Sequence, residues 1–526
     1  MKLTIRRPEG DAVLELAQPE PLSDLLRRSG VRVPMPCGGR GRCGKCRVYA
    51  SGALSPVTAA ERAALRADEL AAGLRLACAV RVEGDAEVRV GETGRDEILT
   101  AGRLPAFPPD PIGRRKGAAV DIGTTTLAAY LYDLPAGKLL ATATAVNPQT
   151  AFGADVISRL QKSRDGQRGE LADAIRGGLN DLLGALCRAA GAARADVDAL
   201  TLTGNTAMLY LLTGQKPDSL IAVPFLQDRS FGEWLAPGAL GLDLPGCERV
   251  YLTRCISAYV GADITMSSMA SELFRRTAAD EPCLMCDIGT NGEMVLASGG
   301  KYLCCSTAAG PTFEGAGIHM GMTARPGAIS RARLEDGKFV CSVIGGGKAE
   351  GLCGTGIIDT IAAMLEAGIV DPTGYLCEDG HGFEDCIEEF QGNNAFRLPG
   401  TDVVVTQADV RAVQLAKAAI CAGMLTLLHE AGLDGAVPLL KIAGGFGSFI
   451  DVVSAERIGL IPPGFAARAE AIGNAAGAGA SMALLSRPML EASEAFSREA
   501  RAVELSASAW FMEKYPENMM FGPDEE

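Results

Sequence analysis

The sequence predicts an α/β protein with at least two structural units, and three observations support this. Strand and helix patterns alternate over the first ninety residues, and a proline-rich stretch without periodicity follows at 96–117. Beyond it, an apolar strand that runs into Asp-x-Gly-Thr and then into a second strand occurs twice, at 118–134 and 283–298. The length of 526 residues also predicts two or three domains.

Composition and charge exclude several classes of protein. The sequence contains no run of about 18 consecutive apolar residues, so we expect no membrane-spanning helix. The first residues have no apolar core after their charges, so we expect no signal peptide and a cytoplasmic location. The net charge of −14 gives no sign of nucleic-acid binding. Sixteen cysteines and only three histidines favour thiolates as metal ligands over disulfides.

The chain begins with the pattern of a β-hairpin and a short helix. Residues 2–7 and 12–18 alternate apolar and polar side chains on either side of a Pro-Glu-Gly-Asp turn. A helix is expected over 22–30, with Ser23 as its N-cap and Gly30 as its C-cap.

A second strand and helix complete this first unit. The strand is predicted at 45–52, and Thr58 and Glu61 have the spacing of a capping box at the start of a helix. The order strand, strand, helix, cysteine-rich loop, strand, helix, cysteine describes a compact mixed domain.

Four cysteines of this unit are candidate metal ligands: Cys37, Cys43, Cys46 and Cys78. Four thiolates are the usual complement of a 2Fe–2S cluster. The loop glycines allow positive φ and close approach of backbone N–H groups to sulfur. A zinc site remains an alternative, although zinc ribbons prefer two CxxC pairs, and unrelated thiols are another. The C-x5-C-x2-C spacing resembles the vertebrate-type and bacterial ferredoxins, and this implies a β-grasp fold holding a 2Fe–2S cluster.

The stretch at 96–117 predicts a semi-extended linker, and a phosphate-binding type of turn follows it. An apolar strand ends at Asp121, passes through Gly123 and three threonines, and resumes as a strand. Such a turn offers backbone N–H and hydroxyl groups to phosphate oxygens. A carboxylate at the strand end suits magnesium, directly or through water.

The same turn recurs at Asp287, and two glycine-rich elements follow at 439–450 and 471–485. The order of these four elements resembles the actin-like ATPase and sugar-kinase superfamily. The resemblance implies a two-lobed ATPase domain built on a ribonuclease-H-like repeat, with ATP held between the lobes. No glycine-lysine P-loop is present, so a Walker ATPase is excluded.

The resemblance also implies roles for particular residues. They are Asp121, Gly123, Thr124 and Thr125 in a first phosphate loop, Asp287, Gly289, Thr290 and Asn291 in a second, and Gly444, Gly445 and Gly447 in an adenosine loop. Asp287 is the strongest candidate for orienting Mg²⁺ or the attacking water.

Three further acidic residues are candidates for polarising water at the γ-phosphate: Asp155, Asp263 and Glu314. Helix caps and turn residues are equally good interpretations of each. Gln414 and Lys417 lie on a strongly apolar predicted helix, where contact with adenosine is one interpretation and solvent exposure is the simpler expectation.

The whole chain resembles the reductive activators of corrinoid proteins over residues 1 to about 520. Besides the cysteine loop, the segments that carry the resemblance are DIGTTT (121–126), NPQTAFGADVISRL (147–160), DIGTNGE (287–293), AAGPTFEGAGI (308–318), TQADVRAVQLAKAAI (406–420), AGGFGSFID (443–451) and SASAWFMEKYPENMMF (506–521). Members of this family use ATP hydrolysis to pass an electron from a low-potential donor to an inactive Co(II) corrinoid, which regenerates the Co(I) used in methyl transfer.

The resemblance implies the same function here, with a 2Fe–2S cluster, ATP and Mg²⁺ as cofactors. It implies a corrinoid protein of a methyltransferase system and a low-potential electron donor as partners, and neither nucleic acid nor membrane. Some members carry an extra middle domain, whereas only about twenty linker residues separate the two domains here. The expected divisions are a ferredoxin-like domain (1–95), a linker (96–117), the ATPase domain (118–486) and a C-terminal extension packing on it (487–526).

Three other functions stay open from the sequence. The chain could activate another low-potential enzyme, although activators of the dehydratase type lack an N-terminal ferredoxin. It could be a small-molecule kinase with an accessory cluster, or a nucleotide-gated scaffold with a structural cluster.

Overall fold

The computed structural model describes residues 1–6, 11–29, 31, 33, 46–65, 67–89, 104–153, 155–223, 225–315, 317–445, 447 and 449–522. Two of the four candidate cluster cysteines, Cys37 and Cys43, and the predicted C-cap Gly30 lie outside these residues.

The N-terminal unit is a six-stranded mixed sheet with three helices. Its elements are β1 (Lys2–Arg6), β2 (Ala12–Glu15), β3 (Glu20–Pro21), α1 (Leu22–Arg28), β4 (Arg47–Leu54), α2 (Ala59–Ala64), α3 (Ala67–Ala71), β5 (Leu74–Leu76) and β6 (Arg81–Arg89). The strand order is β2-β1-β6-β4-β5, and β3 also pairs with β6. Alternation of apolar residues along β1 and β6 places one face of the sheet on a core that includes Leu3, Ile5 and Val88.

Two local predictions for this unit are confirmed and one is wrong. Strands β1 and β2 form the antiparallel hairpin, and Thr58 and Glu61 form a complete capping box. Ser23 is not an N-cap, because helix α1 begins one residue earlier, directly after Pro21. The backbone N–H of Ser23 instead donates to the carbonyl of Ala77.

A second six-stranded sheet follows. Its elements are β7 (Lys116–Ile122), β8 (Thr126–Asp133), β9 (Lys138–Val146), α4 (Val156–Lys162), α5 (Arg168–Ala189), β10 (Val197–Gly204), α6 (Thr206–Thr213), α7 (Asp218–Ile221), β11 (Glu233–Leu235), β12 (Val250–Leu252) and α8 (Ala262–Ala270). The strand order is β11-β12-β10-β7-β8-β9. Strands β7, β8 and β9 form an antiparallel meander, and β10 and β12 add on in parallel.

A third sheet repeats this plan. Its strands are β13 (Cys283–Ile288), β14 (Gly292–Ser298), β15 (Lys301–Thr307), β22 (Leu439–Ala443), β23 (Ala469–Gly473) and β24 (Arg501–Ala502) in the order β23-β22-β13-β14-β15-β24. Strands β13 to β15 form the meander, and β22 and β23 extend it in parallel. Strands β7 and β13 therefore occupy equivalent central positions, as the predicted repeat of a two-lobed domain requires.

Two three-stranded sheets and the remaining helices complete the described fold, and the helix Ala475–Leu485 packs on the sheet of β7 to β12. These elements are β16 (Ala328–Glu335), β17 (Lys338–Val343), β18 (Gly351–Leu352), α9 (Gly354–Glu366), β19 (Ile387–Phe390), β20 (Asn393–Arg397), β21 (Val404–Thr406), α10 (Gln407–Glu430), α11 (Val452–Arg457), α12 (Ala475–Leu485), α13 (Arg487–Glu499) and α14 (Ala509–Glu517). Helix α10 is long and apolar enough to cross a membrane, but 78% of its apolar window is buried inside the protein. Helix α10 is thus packed as a core helix.

The C-terminal segment packs against helix α10. Phe521 is buried, and its N–H donates to the carbonyl of Pro372 over 2.8 Å. Gln414 and Lys417, expected to face solvent, are buried and donate to the carbonyls of Met519 and Met520. The expectation of exposure was wrong because the tail covers this face of the helix.

Candidate functional site

The first candidate phosphate loop joins β7 to β8. The Gly123 N–H donates to the Thr126 carbonyl over 3.1 Å, which closes a tight turn after Asp121. A Cβ at Gly123 would lie 2.6 Å from the Thr126 oxygen, so the turn requires glycine there. The Thr124 hydroxyl accepts a hydrogen bond from Asn205 Nδ2 over 3.0 Å. Within its own lobe, the loop is therefore held by its turn hydrogen bond and by Asn205.

The second candidate phosphate loop joins β13 to β14 and is one residue shorter than the first. The Gly289 N–H donates to the Asn291 carbonyl over 3.0 Å. Asp287 stands on β13 where Asp121 stands on β7. The repeated motif in the sequence thus corresponds to equivalent turns of equivalent strands.

Glu314 connects the two loops. One of its carboxylate oxygens accepts from the Thr125 hydroxyl over 2.9 Å and the other accepts from the Thr290 hydroxyl over 2.6 Å. Glu314 lies at the end of a 3-10 helix, Pro311–Glu314, that follows β15. The threonines are 165 positions apart in the sequence, so only the folded chain reveals that one carboxylate binds both.

Four further carboxyl groups form a cluster beside these loops. They are Asp121, Asp263, Asp287 and Glu293. Burial raises the pKa of Asp121 to about 6, and burial together with the charge of Asp121 raises that of Asp287 to about 7. Burial and then neighbouring carboxylates raise the pKa of Asp263 and of Glu293 well above their usual values. The sequence analysis named three of these four residues as site candidates and missed Glu293. Glu293 belongs to the DIGTNGE segment (287–293), but it lies where the pattern predicts a strand of the hydrophobic core.

A helix N-terminus and the predicted adenosine loop border the cluster. Asn474 caps helix α12 and donates from Nδ2 to Asp121 Oδ2 over 3.1 Å. Gly444 has φ of +91°, and a Cβ there would lie 2.7 Å from Asp287 Oδ1. Gly445 and Gly447 follow it after β22. The glycine-rich loop therefore reaches the second phosphate loop.

Asp155 is not part of the carboxyl cluster. Its carboxylate accepts from the Ser158 N–H over 2.8 Å and from the Ser158 hydroxyl over 2.6 Å. It caps helix α4, and these hydrogen bonds lower its pKa. The helix-cap interpretation describes its contacts in this structure.

Two of the candidate cluster cysteines lie side by side. Cys46, just before β4, and Cys78, just after β5, place their Sγ atoms 3.1 Å apart. This separation lets both thiolates approach one metal ion, and Cys37 and Cys43 lie outside the described residues.

Other cysteines occupy different settings. Cys283 and Cys286 belong to separate hydrophobic cores on opposite faces of β13, as strand alternation predicts. In an exposed acidic loop, Cys377, Asp379 and His381 bring one ligand atom each within 4.8 Å of the others.

Comparisons with protein families match the chain in three consecutive segments. Residues 7–83 match a "2Fe-2S iron-sulfur cluster binding domain", residues 116–276 match a "RACo middle region", and residues 281–526 match the "C-terminal domain of RACo the ASKHA domain". The middle-region match covers the sheet of β7 to β12, which the sequence analysis assigned to the first lobe of the ATPase domain.

Known proteins resemble the chain over between about half and nearly all of its length. The corrinoid activation enzyme RamQ of Eubacterium limosum is 35% identical over 421 residues, covering 77% of this chain and 70% of RamQ. The [Co(II) methylated amine-specific corrinoid protein] reductase of Methanosarcina barkeri is 29% identical over 273 residues, 48% of this chain and 46% of that protein. A solved reductive activator for corrinoid,iron-sulfur protein matches with a TM-score of 0.71 at 27% identity, covering 99% and 98% of the two chains. These matches confirm a ferredoxin-type domain joined to an actin-like one.

Proposed function

Because the chain belongs to the family of reductive activators of corrinoid proteins, we propose that it uses ATP to return an inactive Co(II) corrinoid protein to Co(I). The electron would pass through a 2Fe–2S cluster in the N-terminal unit. The observation that best supports the use of ATP is that Glu314 accepts hydrogen bonds from both candidate phosphate loops. A protein that uses ATP to drive electron transfer needs both a nucleotide site and a redox centre. This chain combines the two loops with the adjacent thiols of Cys46 and Cys78.

The two loops are proposed to bind the nucleotide's phosphates. Backbone N–H groups near Gly123 and Gly289 can approach the oxygens closely, because neither residue has a side chain. The Thr124 hydroxyl is a further donor, and Asn291 contributes its amide. The hydroxyls of Thr125 and Thr290 donate to Glu314 in this structure and would bind phosphate by leaving that carboxylate. Gly444, Gly445 and Gly447 are proposed to lie against adenosine.

The carboxyl cluster fits a magnesium ion. Mg²⁺ prefers oxygen ligands and binds through one or two carboxylates together with phosphates and water. Burial is the first cause of the raised pKa of Asp121, Asp263, Asp287 and Glu293, and the charges of neighbouring carboxylates add to it for all of them except Asp121. A bound Mg²⁺ would supply positive charge that offsets both these carboxylates and the phosphates. Asp121 and Asp287 are the proposed holders of the ion.

Asp287 is also the proposed group that orients the attacking water. Its carboxylate lies at the turn of the second phosphate loop and against Gly444 of the glycine-rich loop, and a bound Mg²⁺ would keep it ionised. Asp263 and Glu314 remain candidates for the same role.

Cys46 and Cys78 are proposed to hold the 2Fe–2S cluster together with Cys37 and Cys43. The pair of thiols 3.1 Å apart suits this set, since such clusters are held by four cysteine thiolates. The cluster would accept and release a single electron. A low-potential donor would supply that electron, and the corrinoid protein would receive it. We also propose that the protein is located in the cytoplasm.

The energetic coupling is feasible. For one electron, about 59 mV corresponds to about 1.4 kcal/mol, so an uphill gap of about 200 mV costs about 5 kcal/mol. ATP can offset such a cost only if it binds differently to two states of the complex. Closure of the two lobes on the nucleotide is the proposed difference.

The direct test is an anaerobic mixture of the reduced full-length protein, a Co(II) corrinoid protein and Mg²⁺, followed by the cobalt spectrum. We expect Co(I) to form when ATP is added and not with ADP. Equal formation of Co(I) with and without ATP would refute the coupling. Transfer of the γ-phosphoryl group to a small acceptor, with no Co(I), would favour a kinase instead.

A further inference from the structure

One arginine of a different sheet binds the segment that follows the glycine-rich loop. Arg331 lies on β16, and its side chain is 22% exposed. Its Nη2 donates to the Phe449 carbonyl over 3.1 Å, and its Nη1 donates to Asp451 Oδ2 over 3.0 Å. Phe449 comes just after Gly447, the last glycine of the loop. Arg331 therefore binds this segment through both its backbone and a side chain.

Asp451 connects this contact to the next helix. It is the N-cap of α11, and its Oδ1 accepts from the N–H groups of Val453 and Ser454 over 3.0 and 3.3 Å. Its Oδ2 accepts from Arg331 and also from Arg333 Nη2, the latter over 2.8 Å. Burial opposes ionisation of this carboxyl group, but the charges of the two arginines outweigh burial and lower its pKa. Asp451 is therefore an anion that both begins α11 and binds Arg331.

A second carboxylate also binds Arg331. Asp359 lies on α9 with 1% of its surface exposed, and its Oδ2 is 3.4 Å from Arg331 Nη1. Burial raises the pKa of Asp359 to about 6, so this group is still mostly ionised at neutral pH. The guanidinium thus connects β16, α9 and the segment after the glycine-rich loop.

The glycine-rich loop depends on such contacts for its shape. Gly444, Gly445 and Gly447 have no side chains, so ordering their backbone costs more conformational entropy than ordering other residues. At its start, the loop is held by β22 and by the Gly444 N–H, which donates to the Gly473 carbonyl over 3.0 Å. At its end, it is held by Arg331, and hydrogen bonds from a charged donor are stronger than neutral ones.

Neutralising buried carboxylates does not by itself explain these contacts. Arg333 also supplies positive charge to Asp451, and among the described residues it makes no hydrogen bond to the backbone of this segment. The hydrogen bond to the Phe449 carbonyl distinguishes Arg331 from Arg333. This contact acts on the loop directly and adds nothing to charge balance.

We propose that Arg331 is a positioning residue of the nucleotide site, which fixes the glycine-rich loop in the conformation that receives the adenosine of ATP by holding the Phe449 carbonyl and Asp451. The inference rests on the ATP-dependent function proposed above, and Arg331 itself does not touch the nucleotide. Because ATP and ADP share adenosine, their binding should depend on Arg331 to the same extent.

The test compares Arg331→Met, Arg331→Lys and Arg333→Met with the full-length wild type in calorimetric titrations with Mg²⁺. The titrants are ADP and a non-hydrolysable ATP analogue. For Arg331→Met we expect the affinity for both to fall by the same factor, about 10-fold or more, as for the loss of a charged hydrogen bond. The number of binding sites per chain should not change. Arg331→Lys keeps the charge but lacks the planar fork that binds two groups, so its affinity should lie between.

Arg333→Met is the matched control, because it removes a positive charge from Asp451 but no contact with the loop backbone. Its affinity for ADP should change less than about threefold, as for a partly exposed ion pair. An equal loss in Arg331→Met and Arg333→Met would overturn the inference, since the charge at Asp451 would then explain the effect.

Thermal unfolding without nucleotide gives the midpoint of each variant, and the titrations are made well below it. There, a purely structural arginine would reduce only the number of binding sites and leave their affinity unchanged. Unchanged affinity in Arg331→Met overturns the inference, and so does a loss confined to the ATP analogue. If Arg331→Met does not fold, Arg331→Lys decides by the same criteria. Wild-type protein that binds neither nucleotide would instead overturn the proposed ATP function.

Discussion

Asp121 and Asp287 illustrate how position changes the chemistry of an ordinary carboxyl group. Each lies near the end of a central strand, and burial raises the pKa of both, to about 6 and about 7. Their charges add to those of Asp263 and Glu293. Folding therefore brings together carboxyl groups that resist ionisation, as expected of a site that binds a cation.

The first prediction concerns pH and divalent ions. A carboxyl group with a higher pKa in the folded protein binds more protons when folded, so its contribution to the free energy of unfolding falls as pH rises. For Asp287 this loss runs from its usual value of 3.8 up to about 7. We expect the unfolding midpoint of the wild type, relative to Asp287→Asn, to fall between pH 4 and pH 7 in chelator.

Magnesium should remove this fall, because it binds the ionised carboxylates. Asp385→Asn, on an exposed loop, is the control and should follow the wild type. A difference between wild type and Asp287→Asn that does not vary with pH would contradict the prediction.

At the scale of elements, the ends of β7, β13 and β22 are brought to one place by the sheet topology. Strands β7 and β13 are central in their sheets, and β22 pairs with β13 in parallel. The glycine after β22 consequently lies against Asp287, with φ of +91° and no room for a Cβ. Because Gly444 has no side chain, it can adopt this positive φ and leaves room for the Asp287 carboxylate.

The second prediction follows from this contact. Gly444→Ala should weaken nucleotide binding by at least about tenfold, because the methyl group would displace the Asp287 carboxylate. Gly435→Ala is the matched control: Gly435 has φ of +74°, but a methyl group there would meet no atom within 4 Å. Both changes carry a backbone cost of about 1–2 kcal/mol.

Calorimetric titration with ADP and thermal unfolding measure the two effects separately. Both variants should lose stability, and only Gly444→Ala should lose affinity. Equal affinities in the two variants would show that the close approach to Asp287 has no part in binding.

At the scale of the whole molecule, the proposed cluster and the proposed nucleotide site lie in separate sheets with separate hydrophobic cores. A substitution that disrupts one site should therefore leave binding at the other site unchanged. The proposed coupling between them appears only when the protein acts on its partner.

The third prediction uses this independence. Cys78→Ala should remove the visible absorbance of the 2Fe–2S cluster and abolish cobalt reduction, while nucleotide affinity stays within about twofold, less than about 0.5 kcal/mol. Cys187→Ala is the control, since Cys187 is a buried residue of the second sheet's core. Loss of nucleotide binding in Cys78→Ala would show that the cysteine chiefly supports the fold.

Local patterns in the sequence were enough for much of this description. The first hairpin, the Thr58–Glu61 capping box and the repeated Asp-x-Gly-Thr turn follow from residues close together in the chain, and short-range hydrogen bonds decide them. The recurrence of the Asp-x-Gly-Thr turn, followed in order by two glycine-rich segments, also predicted the class of fold.

The tertiary structure alone decided which side chains meet. Glu314 binds threonines of both loops, and Asn474 binds Asp121 across 353 positions. Arg159 is buried, and its Nη2 has no hydrogen-bond partner among the residues that the structure describes. The expectation for Lys417 was wrong for the same reason, because the C-terminal tail covers it. Sequence periodicity reports which face of an element is apolar, whereas the charge balance of a site depends on distances between elements far apart in the chain.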